Sequence, residues 1–158
     1  QLGIYGIAAI FPSMLNQVFQ RILFNLVFKK STIYSKKKIK DLYKKYLLIF
    51  IVLYSILAIF IYFLIKMLLI YYWENPNEVI LLYSSILLIG TFFSISSNIF
   101  KESIVAQKKV KEFAKNEFVV GILKIILILV ILNFYSLLGL VILKTLIEIF
   151  KFILYYIN

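Results

Sequence analysis

The sequence predicts an all-α fold, a polytopic transmembrane helix bundle, and three observations predict it. Hydrophobic residues make up 63% of the chain, against roughly 45–50% in ordinary soluble domains. A chain of 158 residues cannot hide that much apolar surface in one core, so lipid is expected to cover part of it. The apolar residues are gathered into five runs, each approaching or exceeding the ~20 residues that cross a bilayer. Lysine, finally, alternates between crowded and absent. Eight lysines fall within residues 29–45 and five within 101–115, whereas residues 73–78 and 133–136 carry no basic residue. Basic residues mark loops kept in the cytoplasm, so this alternation reads as threading.

The first run, residues 2–28, is the least lipid-like. Pro12 removes a backbone hydrogen bond and is expected to kink it. Ser13, Asn16, Gln17, Gln20 and Arg21 follow at spacings of 3, 1, 3 and 1, the pattern of one helical face. The second helix is expected over 46–72, after the first lysine-rich loop. Tyr71, Tyr72 and Trp73 then form an aromatic belt at its outer end. Glu74, Asn75, Pro76 and Asn77 are strong turn formers, and Pro76 cannot continue the helix. The third helix, 79–106, repeats the polar stripe with Thr91, Ser94, Ser97, Asn98, Lys101 and Glu102. The fourth covers 118–133, and a tight outer hairpin over 133–136 leads into the fifth, 137–157. That last helix carries Lys144 and Glu148 one turn apart, with Lys151 a turn further on.

With lysine-rich loops inside, the first helix runs from outside to inside and the fifth also ends inside. The chain opens at Gln1, with no initiator methionine and no signal-peptide pattern. An odd number of spans beginning outside calls for one more helix before Leu2. The expectation is therefore five helices of a six-helix transporter lobe, with the remaining lobe of the same polypeptide missing. All of it, residues 1–158, reads as one partial bundle.

The polar stripes admit two readings. Ser, Thr, Asn and Gln often only join helices together. Alternatively, Asn16, Gln17, Gln20, Arg21, Ser94, Asn98, Lys144 and Glu148 line a hydrated cavity that receives substrate. Lys144 and Glu148 also read as a self-neutralising pair at i,i+4. Lys66 and Lys124 read more simply as snorkelling side chains. Arg21 is harder to dismiss as structural. It lies about six residues past the helix midpoint, where a charge costs roughly 2.5–3.5 kcal/mol on insertion scales and usually faces a bundle interior or a watery cavity. The interior charge leans positive: Arg21, Lys101, Lys144 and Lys151 against Glu102 and Glu148. A cationic cavity suits a phosphate or diphosphate.

Composition also excludes chemistries. The chain has neither Cys nor His, which removes thiol catalysis, Cys/His zinc sites and the imidazole proton switch. It has no P-loop, dinucleotide fingerprint or metal-ligand spacing, so no cofactor is expected. The basic loops lack the aromatic interleaving of a nucleic-acid surface. Their expected partners are the anionic lipids of the inner leaflet, not nucleic acid.

Several motifs resemble the polysaccharide-flippase branch of the multidrug/oligosaccharidyl-lipid/polysaccharide exporter superfamily. Leu2-Gly3-Ile4-Tyr5-Gly6-Ile7-Ala8-Ala9 looks like that family's G-x-Y-x-x-A helix start. The lysine-rich loop before Tyr46 is similar to its cytoplasmic connection. Ala106-Gln107-Lys108-Lys109-Val110-Lys111 resembles its A-x-G-K-x-K loop, with Gln107-Lys108 where the glycine would fall. Tyr135-Ser136-Leu137-Leu138-Gly139 looks like its Y-G-x-x-G hairpin, Ser136 replacing the first glycine. The resemblance implies helices two to six of one lobe, more in keeping with the C-terminal one, in the bacterial cytoplasmic (inner) membrane. It implies alternating access that flips a polyprenyl-diphosphate-linked oligosaccharide outward for surface polysaccharide such as the O-antigen of lipopolysaccharide. It does not carry the family's cavity arginines over to particular residues here. Two alternatives stand beside it. A multidrug/cation antiporter of the same superfamily would need an intramembrane carboxylate, for which Glu148 and Glu102 qualify. A membrane glycan polymerase or ligase would need a catalytic group on an outer loop, and the short outer loops make an enzyme the poorer expectation.

Overall fold

In a computed structural model, residues 2–31, 33–73, 78–134 and 137–157 are described, without the side chains of residues 2, 22–31, 36, 73 and 130–134. They form five α-helices and, among the described residues, no strand: α1 (Leu2–Ser31), α2 (Lys36–Trp73), α3 (Glu78–Ala106), α4 (Val110–Phe134) and α5 (Leu137–Ile157). The turn expected over 74–77 and the hairpin residues 135–136 lie outside the described residues.

Two helices start earlier than hydropathy indicates. α2 begins at Lys36, not near residue 46, and α4 at Val110, not near 118. Lysine is a good helix former, so basic residues do not end a helix as they end a membrane span. Ser35 caps α2, its Oγ accepting the Lys38 amide at 3.4 Å. The extension is anchored by Ile39, which is buried with Phe100, Ile104 and Tyr155, and by Tyr43 packed against that cluster. At 38 residues α2 is about 57 Å long at 1.5 Å per residue, well beyond a ~30 Å hydrocarbon core.

α3 ends without a glycine. Lys108 adopts φ 56°, the left-handed conformation that glycine takes more readily. The Lys109 amide donates to the Ile104 carbonyl at 3.1 Å and the Lys108 amide to Val105 at 2.9 Å. These two bonds satisfy carbonyls that a helix end otherwise leaves open.

α3 is the central helix, packed most extensively against α1 and α5 and touching α2 and α4 as well. Small polar residues let its neighbours approach. Ser84 Oγ donates to the Ala8 carbonyl of α1 at 3.1 Å. Thr145 Oγ1 of α5 donates to the Ile86 carbonyl at 3.1 Å, and the Tyr54 hydroxyl of α2 donates to the Leu88 carbonyl. At Gly90 a Cβ would lie 2.9 Å from Thr145 Oγ1 and 3.2 Å from Thr145 Cα, so only glycine permits this crossing without a shift.

Among the described residues, α2 and α3 are long and apolar enough to cross a membrane. They differ sharply in burial: the most apolar stretch of α3 is 56% buried and that of α2 only 11%. α5 is also strongly apolar, but Lys144, Glu148 and Lys151 interrupt it.

Candidate functional site

α1, α3 and α5 enclose a small polar cavity of about 90 Å³ near mid-helix. α1 contributes Ser13 and Asn16, α3 contributes Thr91 and Ser94, and α5 contributes Lys144, Thr145 and Glu148. The polar spacing on α1 and α3 makes this possible: residues three and four apart share a face, and here the two faces meet. Asn16 Nδ2 donates to Ser94 Oγ at 3.4 Å across the helix pair. Gln20 Nε2 donates to Asn16 Oδ1 at 3.3 Å and so extends the network one turn towards the C-terminal end of α1. Thr91 is turned back on its own helix, donating to the Leu87 carbonyl at 2.8 Å.

Glu148 is the most constrained member. Lys151 Nζ bonds its Oε1 at 2.7 Å, so the carboxylate pairs at i,i+3 with Lys151 and not at i,i+4 with Lys144. Its Oε2 is buried and has no hydrogen-bond partner among the described residues. A buried carboxylate oxygen is costly without a donor, which makes it the point in the cavity with most to gain from water or a ligand. Lys144, released from that pairing, donates to the Tyr5 hydroxyl at 3.3 Å.

Of the other residues selected from the sequence, Gln17, Gln20 and Arg21 are exposed on α1 and do not line the cavity. Arg21 lies five positions beyond Asn16, about 7.5 Å further along the axis. Asn98 is half-buried, and its Nδ2 is a second buried atom without a partner among the described residues. The structure thus brings Asn16, Ser94, Lys144 and Glu148 together and leaves Gln17, Gln20, Arg21 and Asn98 beside them.

Sequence reasoning missed Thr145, Gly90 and Tyr5. A lone glycine inside a long apolar run is a signal of close backbone approach. Thr145 follows Lys144 and precedes Glu148 by three positions, so that spacing could have placed it on the same face of α5; Tyr5 stands in no polar stripe and left no such signal. It also missed Glu117, near the start of α4, which joins three helices. Lys101 of α3 pairs with Glu117 Oε1 at 3.0 Å, and the Tyr155 hydroxyl of α5 donates to the same oxygen at 2.7 Å. Burial pushes this carboxyl up, but the hydrogen bonds of Tyr155 and Lys101 and the charges of Lys101 and Lys151 outweigh it. The net effect holds Glu117 below the ordinary 4.5.

At about 90 Å³ the cavity has room for a few waters or a small ion and is too small for a drug-sized ligand, for which pockets of roughly 300–1,000 Å³ are usual. No group of three or more acidic residues at metal-binding distance occurs among the described residues. The chain matches no family model, no curated protein and no solved structure.

Proposed function

We propose that this chain is part of a multi-pass membrane transporter that flips a polyprenyl-diphosphate-linked oligosaccharide outward by alternating access. In this reading it supplies five helices of one lobe, in a bacterial inner membrane. The observation that carries the reading is the division of the surface. Polar groups of α1, α3 and α5 converge on one interior cavity, while α2 leaves its apolar face bare for lipid. Gln17, Gln20 and Arg21 extend the polar face of α1 outside the cavity, where they are open to a larger ligand. Arg21 is the residue best suited to a diphosphate, because its guanidinium makes bidentate, charge-assisted contacts. The resemblance in the loop and hairpin motifs supports the same reading.

The test uses the full-length protein in a strain that displays the glycan. Arg21→Ala abolishes surface glycan, Arg21→Lys retains part of it, and both proteins insert at normal abundance. Normal surface glycan in a well-expressed Arg21→Ala strain would overturn lipid-linked sugar as the cargo. One observation favours a second reading, a cation-coupled antiporter: the buried Oε2 of Glu148, which has no partner among the described residues. For that reading Glu148→Gln disables transport while Arg21→Ala leaves it largely intact.

A further inference from the structure

Glu148, Lys151 and Tyr155 stand at i, i+3 and i+7 on α5 and so share one face of that helix. Glu148 lines the 90 Å³ cavity, and its Oε1 takes the Lys151 ammonium at 2.7 Å. One turn further along, Tyr155 is buried and donates to Glu117 Oε1 at 2.7 Å. Lys151 therefore lies between two carboxylates, one at the cavity and one on α4, and its charge is felt at Glu117 as well. Among the described residues, none of α4 lines the cavity.

Two features make Glu117 an alternative partner for this lysine. The bonds from Lys101 and Tyr155 both fall on Oε1 of Glu117, which leaves Oε2 for a further donor. Lys151, for its part, has little water to turn to. Its side chain is 20% exposed and that of Glu148 15%, and an ammonium so enclosed is costly without an anion. The flexible four-carbon stem of lysine lets the ammonium change partners while the helix stays in place.

We propose that Lys151 is a two-position switch, bonded to Glu148 while that carboxylate is charged and moving along α5 to Glu117 when that charge is neutralised. The second position adds a bond between α5 and α4 to the one Tyr155 already makes. It thereby passes the state of a cavity among α1, α3 and α5 to a helix that does not line it. The buried Oε2 of Glu148, without a partner among the described residues, is the atom at which neutralisation has the least to displace. The switch is defined by side-chain geometry alone, so it holds for any cargo and stands apart from the transport reading.

The experiment treats the full-length protein in detergent with a zero-length carbodiimide, which joins an amine to a carboxylate only where the two touch. Mass spectrometry maps the products. The unaltered protein is expected to give Lys151–Glu148 and Lys101–Glu117 amides, and Glu148→Gln to give a Lys151–Glu117 amide in their company. No such product in folded Glu148→Gln overturns the switch. An equal yield of it with and without the substitution means that Lys151 bridges both carboxylates at once, which overturns the switch as well. Should Glu148→Gln fail to fold, Glu148→Asp, whose shorter side chain loosens the pair, is expected to show the same product in smaller yield, and its absence there counts equally against the proposal. Unfolding titrations supply the second readout. Glu148→Gln should lower the folding equilibrium constant about tenfold more when Glu117 is also changed to glutamine, within the range for residues that share a partner. That difference should vanish in a Lys151→Met background. If it persists there, direct repulsion between the two carboxylates is its cause and the shared lysine is not. Neither readout depends on transport, which surface glycan in the Arg21→Ala strain tests separately.

Discussion

α2 and α3 are both long and apolar enough to cross a membrane, yet one is nearly bare and the other is the hub of the fold. On α2, Phe60 and Phe63 are 63% and 55% exposed; on α3, Phe100 is 1% exposed. The difference does not follow from hydrophobicity. α3 carries Ser84, Gly90, Thr91 and Ser97, all buried, and these let other backbones come close. α2 between residues 47 and 73 is bulky on nearly every side, with Ser55 and Ala58 its only small residues. Small residues select helix neighbours, and large ones are left for lipid. In the proposed membrane setting this explains why the apolar stretch of α2, the less buried of the two, is also the more apolar.

Equal truncations on the two helices give the largest expected effect. Phe100→Ala should lower stability by about 3 kcal/mol or more, because it empties a packed site shared with Tyr43, Phe152 and Tyr156. Phe60→Ala, on the bare face, should change it by less than about 0.5 kcal/mol. Denaturation titrations in detergent micelles measure both. Equal losses would break the comparison and place a protein partner on α2.

A smaller effect is expected at the α3–α5 crossing. Gly90→Ala sets a methyl 2.9 Å from Thr145 Oγ1 and 3.2 Å from Thr145 Cα. The hydroxyl can rotate away but the backbone cannot, so a loss of about 1–3 kcal/mol is expected. Pairing it with Thr145→Ser sharpens the result. Removing the methyl of Thr145 leaves the backbone contact in place, so that pair should recover only part of the loss.

The smallest effect is a gain. Lys108→Gly relieves a left-handed conformation at the end of α3, offset by the greater freedom of glycine in the unfolded chain. The net stabilisation should be roughly 0.5 kcal/mol. A loss in the same thermal unfolding assay would mean that the Lys108 side chain makes a contact worth more than the strain.

The sequence by itself determined the helical class, the number of helices and which residues of α1 and α3 share a polar face. These are local properties, written in runs of apolar residues and in spacings of three and four. Hydropathy placed the starts of α2 and α4 too late, because it registers where lipid would end and not where a helix would. The tertiary structure decided which faces meet. Asn16 faces Ser94 across the helix pair, while Arg21 on the same α1 stripe is turned outward. Glu148 takes Lys151 as its partner and leaves Lys144 to Tyr5. Glu117, unremarkable in sequence, ties α3 to α4 and α5. Periodicity defines a stripe on a cylinder but leaves its rotation and its neighbours open. Those were settled by where Ser84, Gly90 and Thr145 allow backbones to touch, a condition that involves two helices at once.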